Sequence, residues 1–387
     1  MQGFWRRPQV VTLLLVLFSL PNLIGLLSLL QGHGVWFNDL DAVLCGGWRV
    51  AHNVSAYDTA IACPGGNPAP YMYLPQFASL IAPTLRGPDI VSLRHILGPL
   101  SVIGVLGFYY AFILRPIDGA SHLQRAPILA LTNGASLVCG NIAIFCHGLV
   151  VGLALLAPRR TWLLVAAIIL VAVIKPVFLT YLVILAYQQA PLSRRAFHIA
   201  IALVLAGMAA LLVWFTGGTE LGVWRAAISG VVVAAQPGFG FLTIMQLLGV
   251  EPSGLVILFS YAVFAAAVGL GGLVLAEVRD LSPQSRTLLA IGVAQILNPR
   301  LMTYDFVLLA PLVVAMTAVP EKTRQTLTAA MVTIGCATAA IQLGPYRGLL
   351  LLVPTLIIGL YLRAVWLAVR DLPAWWAARR SPPAAAA

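Results

Sequence analysis

Residues 140–185 read "GNIAIFCHGLVVGLALLAPRRTWLLVAAIILVAVIKPVFLTYLVIL". Three apolar runs, about 142–157, 161–174 and 177–188, are separated only by the pair Arg159/Arg160 and by Lys175-Pro176. Runs this apolar read as membrane helices, yet the last two, of 14 and 12 residues, give roughly 20 Å at 1.5 Å each, against a hydrocarbon core of about 30 Å. A helix that short does not span alone. Its outer end stops below the membrane surface, where non-helical backbone is tolerated only if it lines a protein-enclosed or watery cavity. The stretch therefore predicts an all-α integral membrane protein with a cavity recessed beneath one face.

The rest of the chain extends the pattern. It has 387 residues, 60% hydrophobic and 9% charged, where soluble proteins carry roughly 25% charged residues. Further apolar segments fall at about 9–30, 90–114, 126–139, 196–215, 253–278, 287–298, 304–319, 325–341 and 348–367. The reading is about twelve transmembrane helices. Basic clusters at Arg6/Arg7, Arg115 with Arg125, Arg159/Arg160, Arg194/Arg195, Arg279 with Arg286, Lys322 with Arg324, and Arg370 with Arg379/Arg380 then share one face, which the positive-inside rule makes cytoplasmic. One polytopic domain over 1–373 is expected, with first and second periplasmic loops at 31–89 and 216–252 and a cytoplasmic tail at 374–387 that ends in the low-complexity stretch "SPPAAAA". The apolar piece Phe77 to Leu85 is too short to span and reads as an interfacial or re-entrant helix. The first run follows Arg6 and Arg7, exceeds a signal h-region and lacks a small-residue cleavage site, so it reads as a retained span. The net charge of +11 comes from these topology determinants rather than from a nucleic-acid surface. No internal repeat is visible.

Acids are scarce, at 12 in the chain. Glu277, Asp280, Glu321 and Asp371 lie beside arginines in the expected cytoplasmic turns and read as solvated charge. In "NDLDAVLCGGWR" (38–49), Asp39 and Asp41 arrive where the first span meets the long loop. Two apart, they share a face in an extended segment and diverge in a helix. Lys175 is the one basic residue between Arg160 and Arg194, and an ionisable residue at membrane depth is a functional candidate. On the same face, Arg49, Arg225, Arg300 and Arg347 form with it a set suited to an anion such as a phosphate. "NPRLMTYD" (298–305) puts Arg300, Tyr304 and Asp305 on one break, where an Arg300–Asp305 ion pair is the structural alternative. Cys45 and Cys63 share the first loop, as a bridge if it faces an oxidising compartment or else as two free thiols. His33, His52 and His147 fall where they could face the cavity, but no spacing suits a metal, and no nucleotide loop is present. The glycines of "GLGG" (269–272) read as helix packing.

Four stretches in order resemble glycosyltransferase family 87, the polyprenol-phosphate-sugar-dependent transferases of the GT-C superfamily, over roughly residues 36–315. They are "FNDLDAVLCGGWRVAHNVSAYD", "YMYLPQFASLIAP", the run 140–185 quoted above, and "LNPRLMTYDFVLLAP". The chain departs from the family's pattern at Leu74 and Asn298 and in having no histidine in the last stretch, which bears on acceptor identity more than on fold. The resemblance implies a GT-C fold and a general base at Asp39, with Asp41 as the fallback. Lys175 and Arg300 would hold the donor phosphate, and Tyr57, Asn141, Tyr304 and Asp305 would shape the substrate pocket, with no metal and no cofactor. The implied reaction moves a hexose, mannose among the candidates, from a polyprenyl-phosphate-linked sugar to a lipid-linked or glycan acceptor. The implied location is a bacterial inner membrane, with both termini cytoplasmic and the site periplasmic. The alternative is a polytopic transporter or lipid flippase, for which matching helix breaks in two repeated halves would be expected.

Overall fold

The computed structural model describes residues 8–32, 35–67, 69–87, 89–111, 126–131, 138–235, 237–250, 254–309, 334–342 and 347–380, together with 312 and 332. Among these residues the architecture is helical, with no strand. The α-helices are α1 (Pro8–Leu30), α2 (Asn38–Ala51), α3 (Pro75–Ile81), α4 (Ile90–Tyr109), α5 (Ala143–Leu156), α6 (Thr161–Ile174), α7 (Val183–Tyr187), α8 (Leu192–Ala227), α9 (Phe241–Leu247), α10 (Gly254–Val278), α11 (Pro283–Ile296) and α12 (Leu352–Arg380). Among the described residues five helical stretches are long and apolar enough to cross a membrane: Pro8–Leu30, Ile90–Phe108, Leu192–Val233, Gly254–Val278 and Leu349–Arg379. Of the expected segments, most of 304–319, residues 325–331 and 333 of 325–341 and residues 132–137 of 126–139 lie outside the described residues, as do the loop residue His33 and the tail residues 381–387.

The short helices fall where the sequence placed them. α5 and α6 have 14 residues each. α6 ends because Pro176 has no amide hydrogen and drives the residue before it out of the helical region, so Lys175 is extended at φ −149°, ψ 112°. The segment 177–188 is broken further, into a 3₁₀ turn over Pro176–Leu182 followed by α7. α11 starts earlier than expected, because Ser282 caps it by accepting from the Ser285 amide and Pro283 sits at its first position.

Around these short elements a buried core joins α5, α6, α7, α10, α11 and α12. The reading of "GLGG" as packing fits the contacts. Tyr187 donates to the Gly269 carbonyl at 2.7 Å and Tyr361 to that of Val268 at 2.5 Å. A side chain at Gly272 would meet both phenols.

Three expectations are corrected. The second loop does not begin at 216: α8 runs on to Ala227 through a kink at Gly218 and continues as a π-helix to Ala235, since only Gly218, at φ 50°, breaks the helical backbone there. Glu277 is not a solvated charge. It accepts from Arg195 at 2.8 Å and Arg286 at 2.7 Å, while the same guanidinium groups donate to the carbonyls of Ala186, Ala190, Ala276 and Leu281. Both arginines are buried, and this cluster ties α8, α10 and α11 to the end of α7. Arg49 does not join an anion-binding set either. It is fully buried and donates to the carbonyls of Ile61 and Ala56, at 2.9 and 3.2 Å, so it shapes the first loop.

Candidate functional site

α2 begins at a left-handed residue, Phe37 (φ 56°). Its first amides lack helical partners, as at any helix start. The segment before α5 supplies them. Phe37 donates to the Val138 carbonyl at 2.7 Å and Asp39 to that of Cys139 at 2.9 Å. Gly140 makes the close approach possible, because at φ 67° a Cβ there would lie 2.8 Å from Leu40 Cβ. The next residue, Asn141, is buried. Its Nδ2 donates to Asp39 Oδ2 at 2.9 Å, and its Oδ1 accepts from the Ala143 amide at 2.9 Å and the Tyr73 hydroxyl at 3.2 Å. Asn141 is therefore locked on one side by the start of α5 and on the other holds the Asp39 carboxylate.

Burial pushes the Asp39 carboxyl above the usual carboxylate range. The charge of Lys175, then that of Arg300, and then the Asn141 amide oppose the shift. Lys175 arrives from the end of α6. The Leu74 amide donates to the Ile174 carbonyl at 3.1 Å, which stitches the first loop to the Lys175 break and leaves Lys175 Nζ 6.0 Å from the centroid of the Tyr73 ring. Among the described residues Lys175 Nζ makes no hydrogen bond and no ion pair, although Asp305, Arg300 and Asp39 all act on it electrostatically.

Arg300 and Asp305 come from the break after α11. Asn298 Oδ1 accepts from the Arg300 amide at 3.1 Å, and Asp305 Oδ2 accepts from the Met302 amide at 3.1 Å. Two side-chain-capped turns thus replace helix here. The charge of Arg300 acts on Asp305, after that of Lys175 and the Met302 amide. The break is clamped by the segment leading into α9: Phe239 donates to the Leu301 carbonyl at 2.6 Å and Leu242 to that of Pro299 at 3.1 Å. Gly240 permits this, as a Cβ there would sit 2.8 Å from the carbonyl oxygens of Asn298 and Pro299.

So Asp39, Asn141, Lys175, Arg300 and Asp305 are gathered by four separate chain breaks. Asp41 is not among them. On the far side of α2, fully buried, its carboxylate takes Arg94 at 2.8 Å and both the amide and the side chain of Asn67, at 3.0 and 2.5 Å. That occupies it in holding α4 and the loop to α2. Cys45 and Cys63 are paired in a disulfide beside this cluster. Tyr57 supports the site at one remove, donating to the Tyr73 carbonyl at 2.7 Å. The Tyr304 side chain lies outside the described residues. Tyr73 was not singled out from the sequence, although it sits in "YMYLPQF"; nothing separates it there from Tyr71, whose hydroxyl goes to the Leu74 carbonyl instead. His147 is buried and bonded to Tyr181 at 2.7 Å, and Gln295 donates to the same hydroxyl.

Among the described residues no cluster of three or more His, Cys, Asp or Glu is placed to hold a metal ion. Two cavities stand out. The larger, about 740 Å³, runs along α4 and α5 to Pro158 and Pro283 and does not reach Asp39. The smaller, about 230 Å³, has Leu74 and Pro176 in its wall, the neighbours in sequence of Tyr73 and Lys175.

The arrangement can accept a proton from a hydroxyl at Asp39 and neutralise an anion between Lys175 and Arg300. Compared with known protein families, curated proteins and solved structures, the chain has no match. The likeness to glycosyltransferase family 87 rests on the four motifs alone.

Proposed function

We propose that this protein is a membrane glycosyltransferase that moves a hexose from a polyprenyl-phosphate-linked donor to a lipid-linked or glycan acceptor. One observation carries the reading: a carboxylate, held by a locked asparagine and raised in basicity by burial, stands in the field of two cations of which Lys175 makes no hydrogen bond or ion pair among the described residues. In the reaction the acceptor hydroxyl gives its proton to Asp39 as its oxygen bonds to the anomeric carbon. The bond from that carbon to the donor phosphate breaks, and the phosphate leaves with the electron pair. Lys175 and Arg300 stabilise its growing negative charge, so the leaving group needs no proton. Asp305 supplies Lys175 with a countercharge when no donor is bound.

The test is transfer by purified protein from a radiolabelled polyprenyl-phosphate sugar to membrane-lipid acceptors. Asp39→Asn keeps the hydrogen-bonding shape and removes the base, and is expected to lower the rate by about 10²–10⁴-fold. Undiminished transfer by Asp39→Asn removes Asp39 from the role.

A further inference from the structure

A buried polar knot adjoins the charged cluster, and the proposed chemistry makes no use of it. Tyr181, on the 3₁₀ turn that follows Lys175, is hydrogen-bonded to His147 Nδ1 at 2.7 Å, and its hydroxyl accepts from Gln295 Nε2 at 2.7 Å. We infer that Tyr181 is a positioning residue of the cation site: its hydroxyl ties together the elements that carry Asn141, Lys175 and Arg300, and so fixes where the two cations stand relative to each other. The inference rests on the proposed function only for the phosphate that those cations would meet.

Three observations carry this. First, the turn after Lys175 needs a hold from outside. Pro176–Leu182 is seven residues of 3₁₀ backbone, whose hydrogen bonds are poorly aligned and whose runs seldom exceed about 3–4 residues. Side chains three apart eclipse on such a turn, so Phe178 and Tyr181 present near-parallel rings on one face, and the His147 ring packs against them at 4.7 and 5.7 Å. Second, the phenol oxygen is a junction of three elements. Tyr181 comes six residues after Lys175, His147 six residues after Asn141 on α5, and Gln295 five residues before Arg300 on α11. Because Gln295 donates to the oxygen, the phenol hydrogen can go to Nδ1, an assignment that uses both hydrogens and puts the imidazole proton on Nε2. The charge of Lys175 reaches His147 and that of Asp305 reaches Tyr181, so the knot and the cluster are neighbours. Third, packing alone does not explain Gln295. It is buried between Ala294 and Ile296, and its Oε1 has no hydrogen-bond partner among the described residues. A buried amide left half unmet is destabilising, where an apolar side chain of similar size is not. What the amide supplies is the bond to Tyr181.

The test exploits the scarcity of lysine, since the chain has two, Lys175 and Lys322. Full-length protein grown on lysine enriched in ¹³C and ¹⁵N at the ε position gives two side-chain NMR signals in nanodiscs, and Lys322→Arg assigns that of Lys175. Tyr181→Phe is expected to move the Lys175 signal with no ligand present. Tyr187→Phe is the control: it removes an equally buried phenol whose bond goes to the Gly269 carbonyl, and is expected to lower the unfolding midpoint while the Lys175 signal stays in place. A signal that moves alike in both variants, or in neither, overturns the inference. His147→Asn puts an amide oxygen near the place of Nδ1 and is expected to return the signal toward wild type, which His147→Leu does not. An Asn variant no nearer to wild type than the Leu variant also overturns it. Binding is then measured with polyprenyl phosphate and with polyprenol. Tyr181→Phe is expected to weaken the phosphate by about tenfold, the lower end of the loss when a group that orients a binding side chain from behind is removed, and to leave polyprenol unchanged. Equal affinity of wild type and Tyr181→Phe for polyprenyl phosphate, where wild type prefers it to polyprenol, counts against the positioning role and overturns it. A Lys175 signal that moves as expected in a protein with no preference between the two probes keeps the positioning role and removes the proposed donor.

Discussion

At the scale of single residues, the rarity of charge made most of the cluster legible. In a chain with 12 acids and long uncharged stretches, Asp39, Lys175, Arg300 and Asp305 stand out by type and place, and the structure brings them together. What the sequence does not carry is the company each charge keeps. Arg49 and Asp41 look as available as Arg300 and Asp39 until the loop carbonyls and Arg94 that engage them are known. Tyr73 was invisible for the opposite reason, since one tyrosine among 11 carries no signal until its hydroxyl meets Asn141. The electrostatics predict a pH profile. In the proposed role of base Asp39 must be ionised, so activity would be full above its pKa and fall as pH drops through it. With burial raising that pKa, the acid limb of kcat/KM should lie above the ordinary aspartate value of about 3.9. Lys175→Ala removes the largest opposing charge and should move the limb to still higher pH, alongside a raised KM for donor. A limb that stays in place in Lys175→Ala contradicts the coupling of the two groups.

At the scale of elements, the breaks are set by identifiable chemistry: Pro176 for the end of α6, Gly140 before α5, and Asn298 and Asp305 after α11. Pro and Gly were readable as punctuation. The clamp on the 298–301 break was not, because it joins backbones about sixty residues apart through Gly238 and Gly240. Gly240→Ala drives a methyl against carbonyl oxygens that cannot swing aside as a side chain would. A loss of about 1–3 kcal/mol of stability is expected, with weaker phosphate-dependent binding because Arg300 shifts. Thermal unfolding and donor KM report the two effects, and an unchanged KM separates the clamp from the site.

At the scale of the whole molecule, the helical character and the existence of short helices followed from composition and run length. The extent of α8 did not, since hydropathy falls where the backbone remains helical. Nor did the cluster at Arg195, Glu277 and Arg286 reveal itself, because its stability depends on four carbonyls from separate turns. Glu277→Gln leaves two buried guanidinium groups without a countercharge. Breaking a fully buried pair costs about 3–5 kcal/mol, and partial exposure of Glu277 reduces that to about 2 kcal/mol, seen as a lower unfolding midpoint with donor KM unchanged.

The covalent link between residues 45 and 63 ties down the same helix whose first turn presents Asp39. Such links form and last where thiols are kept oxidised, and seldom elsewhere. Under the proposed function and orientation, a newly inserted chain would thus complete this end only after residues 38–67 had crossed to that side. Maturation would become a timing device: copies still on the wrong side of the membrane, or held in reductant, would carry the right residues but not yet the right posture.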